Sequence, residues 1–196
     1  MKGSIYAIIP ARSGSKGIPK KNIALLSGFP LIAYSIVASR LSKHIQRTIV
    51  STDSKEIASI ARKFGAETPF LRPAKFARDT SGDLEVITHA VKWFEENENT
   101  APNLVIYLRP TTPLRDPKII DHAIEKFKVR NDATSLRSAH GLPEPPQKMF
   151  QINKTGFFEG FFLHDKRPEY FNLPRQSFPT AYHPNGYIDI VKTGYI

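Results

Sequence analysis

The sequence predicts a three-layer α/β domain, doubly wound around a mostly parallel sheet, with a β-rich arm inserted late in the chain. Three observations carry this. Short, nearly continuous apolar runs alternate with stretches of helical period about ten to fifteen residues long, the pattern of βαβ units. Crossovers between parallel strands are right-handed, so the helices fall on both faces of the sheet. Near residue 140 the helical period stops and the chain turns rich in Pro, Phe and Tyr.

Each element has its own signal. Ser4 to Pro10 is an apolar run of the kind that forms a strand buried on both faces. A Gly- and Lys-rich loop runs from Ala11 to Asn22. Pro30 opens a helix through Leu41, a position where its missing N–H costs nothing. Arg47 to Ser51 is the second strand. Ser54 or Asp53 caps a helix whose apolar face is Ile57, Ile60, Ala61 and Phe64, and Gly65 ends it. Glu67 to Leu71 reads as a third strand, and Leu84, Ile87, Val91 and Phe94 as one face of the next helix. Asn103 to Leu108 is a strongly apolar fourth strand. Asp116 followed by Pro117 is a cap with proline at the first helical position, and Ile119, Ile120, Ala123, Ile124 and Phe127 form the stripe behind it. Ala133 to Ser138 is a fifth strand, and Asn185 to Lys192 returns to strand character.

The expected organisation is a core over residues 1–139, an arm over 140–184 and a return strand over 185–196. Phe150, Phe157, Phe158, Phe161, Phe162, Tyr170 and Phe171 crowd the arm. Exposed rings in that number are an association hazard, so the arm is expected to pack against something, most simply a second copy of the chain.

Composition narrows the function classes. With 196 residues, 40% of them hydrophobic, the chain can bury a proper core. It has no cysteine, which excludes a disulfide scaffold, a zinc knuckle, an iron–sulfur site and a thiol nucleophile. No apolar run approaches a membrane span or a signal peptide, so a cytoplasmic location is expected. The formal charge of +10 suits a nucleic-acid binder or an enzyme for multiply charged anions. The basic residues form no long block and no Cys/His finger or basic zipper is present, which weighs against nucleic acid.

The loop after the first strand carries the chemistry. Ligands of open α/β sheets sit beyond the carboxyl ends of strands. Gly14 and Gly17 let backbone N–H groups approach an anion, Ser13 and Ser15 add hydroxyls, and Arg12, Lys16, Lys20 and Lys21 supply cations. The loop matches neither GxxxxGK[ST] nor GxGxxG, so it belongs to no common nucleotide-binding motif. A plain basic surface loop with turn glycines has the same composition. Asp53, at a strand's carboxyl end and ahead of a helix, reads as a cap rather than a ligand.

As a whole, Ile9-Pro10-Ala11-Arg12-Ser13-Gly14-Ser15-Lys16-Gly17-Ile18-Pro19-Lys20-Lys21-Asn22 resembles the N-terminal signature of the acylneuraminate cytidylyltransferase family. Further segments match in the same order: Ile49 to Asp53, Leu71-Arg72-Pro73 with Asp79-Thr80, Arg109 to Arg115, and Pro174-Arg175-Gln176 with Pro184-Asn185-Gly186. The resemblance implies a fold of the nucleotide-diphospho-sugar transferase type and a reaction between CTP and a nine-carbon keto-acid sugar. The sugar's anomeric hydroxyl attacks the α-phosphorus and pyrophosphate leaves. It implies Ala11, Arg12, Ser13, Gly14, Ser15, Lys16, Gly17, Lys21, Asn22, Arg72 and Ser81 as nucleotide-binding residues, with Arg12 and Lys21 acting on the reacting phosphates. It implies Arg109, Thr111, Arg175, Gln176 and Asn185 on the sugar, Mg²⁺ as cofactor, and a homodimer in which the arm crosses to the partner. The substrates expected are CTP and a keto-acid sugar, with no nucleic acid and no membrane.

Two features depart from the family pattern. Arg109 stands where the sialic acid members carry Gln, which suggests a grip on an acidic group and a sugar other than sialic acid. Asp189 is a companion oddity, either a Mg²⁺ or sugar ligand or a strand-edge charge. The family's acidic Mg²⁺-binding motif lies in a stretch beyond the position of Ile196, so this sequence by itself is expected to bind nucleotide better than it turns it over.

Overall fold

The structure, a computed structural model, describes residues 3–196. It divides into two compact units, Met1–Ser138 with Gly186–Ile196, and Ala139–Asn185. In chain order the elements are β1 (Ile5–Pro10), β2 (Leu25–Leu26), β3 (Phe29–Pro30), α1 (Leu31–Arg40), β4 (Arg47–Ser51), α2 (Lys55–Lys63), α3 (Asp83–Glu98), β5 (Leu104–Tyr107), α4 (Pro117–Lys128), β6 (Ser135–Gly141), β7 (Phe150–Ile152), β8 (Phe158–Gly160) and β9 (Tyr182–Lys192).

The main sheet has the order β4-β1-β5-β9-β6. β1 pairs in parallel with β4 and with β5, while β9 runs antiparallel to β5, so the sheet is mixed. Alternation along the strands builds two cores. Ile5, Ala7 and Ile9 of β1, with Val50, Ile106 and Ile190, meet α1, α2 and α4 on one face. Tyr6 and Ile8, with Ile49, Val105 and Tyr107, meet α3 on the other. These are the three layers. Because β1, β4 and β5 are parallel, the loops leaving their carboxyl ends gather at one edge of the sheet.

The helix signals act locally. Ser54 Oγ accepts the N–H of Ile57 at 3.3 Å and caps α2, and Asp116 accepts the N–H of Lys118 at 2.9 Å and caps α4 with Pro117 behind it. Gly65 closes α2 in the left-handed region at φ 87°.

Four expectations are corrected. Asp53 is not the cap of α2; Ser54 is, and Asp53 is turned to the preceding loop. The stretch 67–71 is no strand. Only Glu67 bridges to β4, at Ile49; Pro69 has no N–H to donate, the chain bends at the buried Phe70, and Arg72 N bonds Thr52 O at 2.7 Å. Leu84 and Ile119 are exposed, because the buried face of α3 runs through Val86, Ile87, Ala90, Val91 and Phe94, and that of α4 through Ile120, Asp121, Ile124 and Phe127.

The second unit contains less strand than expected. β7 and β8 form one antiparallel hairpin of three-residue strands, the end of β6 and the start of β9 run into the unit, and the rest is turns and short 3-10 segments. The Asn153 side chain accepts bonds from Thr155 and Phe157 across the hairpin turn. Tyr170 is buried against Gly160, where a Cβ would collide with the Tyr170 hydroxyl. Phe150 packs on Phe158 and Phe171 at 5.8 and 5.1 Å, while Phe157, Phe158 and Phe161 stay more than half exposed.

Candidate active site

The loop after β1 is fastened at both ends. Ala11 is fully buried and donates its N–H to Ser51 O at 2.9 Å. Asn22 is buried, and its Nδ2 donates to Arg12 O at 2.9 Å, closing the loop on itself. Asp53 braces the middle: the N–H of Ser13 donates to one oxygen at 2.8 Å and Ser13 Oγ to the other at 2.6 Å. Lys20 sits in the left-handed region at φ 50°, and its ammonium reaches Glu56 at 2.9 Å. Among the described residues, chain neighbours aside, nothing lies within 4 Å of where a Cβ would stand at Gly14 or Gly17, and neither has positive φ. The space beside both glycines is open to a ligand.

A cavity of about 300 Å³ opens at this edge of the sheet. Of the sequence-predicted residues, Arg12, Ser15, Lys21, Asn22, Arg72, Ser81, Arg109 and Thr111 line it. The other predicted loop residues take different places. Ala11 is in the core, Ser13 is spent on Asp53, and Lys16 lies exposed against Asp79. Arg175, Gln176 and Asn185 belong to the second unit, where Arg175 and Gln176 line a separate cavity with Leu142, Pro145 and Phe178.

Arg72 is the least ordinary of the lining groups. It is 4% exposed, and its Nε has no hydrogen-bond partner among the described residues. Burial pushes the guanidinium's pKa down, against the pull of Tyr107 and Asp53. A buried donor without a partner is costly unless a ligand supplies the acceptor. Ser81, in the same wall, accepts the N–H of Arg78 at 3.2 Å and donates to Lys75 O at 3.3 Å, shaping the loop ahead of α3.

Arg109 does not stand free. Nη1 bonds Asp189 at 2.7 Å, Nη2 bonds Asp83, and the guanidinium lies 5.0 Å over the Tyr107 ring. Tyr107 donates its hydroxyl to Asp83 at 2.9 Å, and Arg137 Nε donates to Asp189 at 3.0 Å. The expectation that Arg109 offers an open cation to an acidic substrate group is therefore corrected: two carboxylates already offset its charge. Asp189 is equally committed, a buried carboxylate between two arginines.

The carboxylates here do not fit a protein-held Mg²⁺. Asp53 is taken by Ser13, Asp79 by Arg12 and Lys16, Asp83 by Tyr107 and Arg109, and Asp189 by two guanidinium groups. No group of three or more His, Cys, Asp or Glu among the described residues is placed to hold a metal.

Sequence reasoning missed Phe76, Arg78, Asp83 and Tyr107 as lining residues. It also missed Arg115, a buried guanidinium whose five partners are all uncharged: Tyr187 O, Arg109 O, Gly186 O, Thr112 O and Ser35 Oγ. Arg115 ties the loop after β5 to the neighbouring backbone and so sets where Arg109 and Thr111 stand. Its only sequence signal was its place at the end of the Arg109 to Arg115 motif.

Comparison with known proteins gives this geometry a context. A family model described as Cytidylyltransferase matches residues 6–152. CMP-N,N'-diacetyllegionaminic acid synthase of Legionella pneumophila is 44% identical over 125 residues, covering 64% of this chain and 53% of that protein. N-acylneuraminate cytidylyltransferase of Escherichia coli O18:K1:H7 is 35% identical over 190 residues, covering 97% of this chain and 42% of that protein. Pseudaminic acid cytidylyltransferase of Campylobacter jejuni is 33% identical over 179 residues, covering 91% and 74%. The chain thus spans about half the length of the first two relatives. Among solved structures, a CMP:2-keto-3-deoxy-manno-octonic acid synthetase complexed with CTP superposes with a TM-score of 0.67 at 16% identity, covering 96% of this chain and 74% of that one. At that identity the likeness concerns the fold.

Proposed function

This chain belongs to the cytidylyltransferase family, and we propose that it transfers CMP from CTP to the anomeric hydroxyl of a nonulosonic, sialic-acid-like sugar, releasing pyrophosphate. The observation that carries the reading is the cavity itself. Arg12, Ser15, Lys21 and Asn22 line it, and so do Phe76, Ser81 and the buried Arg72, whose Nε has no hydrogen-bond partner among the described residues. The first set suits a triphosphate and the second a base with acceptor atoms. The relatives' names, which specify legionaminic, acylneuraminic and pseudaminic acids, support the sugar class.

In this reading Arg12 and Lys21 hold the phosphates and stabilise the charge that builds on the departing pyrophosphate as the sugar oxygen attacks in line. Such chemistry rests on positioning and fixed electrostatics. Arg109, already balanced by Asp83 and Asp189, meets sugar hydroxyls rather than a carboxylate. Mg²⁺ would come with the nucleoside triphosphate and offset its phosphate charge.

We also infer a homodimer formed through residues 139–185, supported by the exposed Phe157, Phe158 and Phe161. A monomer by light scattering at micromolar concentration contradicts this. A cytoplasmic location is part of this proposal. Separately, no described helix is long and apolar enough to cross a membrane. The reading is tested by pyrophosphate release with Mg²⁺, the four nucleoside triphosphates and a panel of keto-acid sugars. Release with CTP and one nonulosonic acid is expected. Release with a different nucleotide, or with none while the protein binds RNA in a salt-dependent way, counts against it.

A further inference from the structure

Two loops at the carboxyl edge of the sheet meet through one carboxylate. Asp79 Oδ1 lies 2.7 Å from Arg12 Nη1, and Asp79 Oδ2 lies 2.5 Å from Lys16 Nζ. Each oxygen takes one cation of the phosphate loop, as two oxygens of a phosphate would. Among the described residues neither Arg12 nor Lys16 has another carboxylate partner. The Asp79 side chain is 41% exposed and that of Lys16 is 81% exposed, so water can replace the contact. Lys16 first, and then Arg12, hold the Asp79 carboxyl below its usual range, so it stays ionised at neutral pH.

Asp79 lies in the short segment between the 3-10 turn Ala74–Phe76 and α3. That segment is held by local bonds, Ser81 N to Arg78 O at 3.1 Å and Arg78 N to Ser81 Oγ at 3.2 Å, and makes no ladder with the sheet. An exposed ion pair on such a segment is weakly held. A polyphosphate brings several charged oxygens and forms stronger charge-assisted bonds to the same groups.

We infer that Asp79 is a built-in stand-in for phosphate, which holds Arg12 and Lys16 in the free protein, yields them to the incoming polyphosphate and retakes them as pyrophosphate leaves. The inference rests on the reading that CTP enters this cavity. Any ligand that uses Arg12 and Lys16 must displace Asp79, so its affinity is lower than the bare cations would give. A ligand without a polyphosphate does not compete with it. Asp79 is thus an affinity- and specificity-setting residue: it restrains binding that would serve substrate and product alike, and it eases product release.

Calorimetric titration of the full chain with pyrophosphate, CTP and cytidine tests this in wild type, Asp79→Asn and Asp79→Glu. Asp79→Asn is expected to bind pyrophosphate and CTP at least about threefold more tightly, with cytidine unchanged and Asp79→Glu close to wild type. Unchanged or weaker pyrophosphate binding in Asp79→Asn overturns the inference. So does an equal gain for cytidine, which would report a moved loop rather than a removed charge, and so does pyrophosphate binding to neither protein. The reading beneath it is judged separately, by preference among CTP, UTP, ATP and GTP. Loss of that preference with the pyrophosphate gain intact removes the cytidylyl reading and leaves Asp79 in its role.

Discussion

Replacing Arg115 by methionine removes the guanidinium that fixes the loop after β5. The residue is 8% exposed, and its Nε donates to Tyr187 O at 2.6 Å. Its Nη2 donates to Arg109 O at 2.7 Å and Gly186 O at 3.1 Å, and its Nη1 to Ser35 Oγ at 2.9 Å and to Thr112 O. Burial pushes its pKa down to about 10, so it remains a cation at neutral pH. A hydrogen bond from a charged donor contributes about 1.5–3 kcal/mol net. Five such bonds on one group do not add, and the cost of burying the charge offsets part of the gain. Methionine restores apolar volume but leaves buried carbonyls without their donor, at about 1–3 kcal/mol each and not additively, so the expected loss is about 3–5 kcal/mol. For a chain of this size that is a fall of about 8–15 °C in melting temperature. Calorimetric melting with wild type and Arg115→Met alongside measures it. Arg115→Lys is expected to recover little, because one ammonium cannot span carbonyls arranged for a planar fork. A fall below about 3 °C refutes the argument, since it would mean that the loop holds its place without the guanidinium.

Tyr107 gives a pH prediction. Its ring is 1% exposed, and burial, then the charge of Asp83 that accepts its hydroxyl, raises its pKa. The folded state keeps this proton where the unfolded chain gives it up, so the contribution is present below pH about 10 and is lost above it. Urea midpoints across that range are expected to fall with rising pH in wild type and to flatten in Tyr107→Phe; equal slopes contradict the assignment. Arg109→Gln, which installs the residue of the sialic acid members, leaves Asp83 and the mostly buried Asp189 short of a partner. It is expected to cost about 1–3 kcal/mol. A double-mutant cycle with Asp189→Asn by denaturant unfolding is expected to show coupling above about 0.5 kcal/mol; additivity contradicts the pairing.

What could be read from the sequence divides by distance along the chain. The strand Arg47 to Ser51 and the start of α4 at Asp116-Pro117 are fixed by neighbours within a few residues, and both lie where the sequence places them. The cations and glycines of the loop after β1 were legible for the same reason. Partners far apart were not. Asp53 looked like a cap because Ser13, its actual partner, is 40 positions away. Arg109 looked like a free cation because its carboxylates come from residues 83 and 189, which only the pairing of β5 with β9 and the packing of α3 bring together. Leu84 and Ile119 carry the apolar character of a helical stripe, yet the helix face that meets the sheet is set by packing, about a residue's turn away. The contact of Asp79 with Arg12 and Lys16 has no sequence signal at all.

In the proposed function the cavity beyond β1, β4 and β5 selects CTP, and Arg72 is the buried donor that reads it. The most direct measurement is the affinity of wild type and Arg72→Ala for CTP, UTP, ATP and GTP under one set of conditions. Wild type is expected to prefer CTP, and Arg72→Ala to lose CTP affinity by at least about tenfold, the scale of one charged hydrogen bond. Equal affinity for all four nucleotides, or CTP binding untouched by Arg72→Ala, contradicts it.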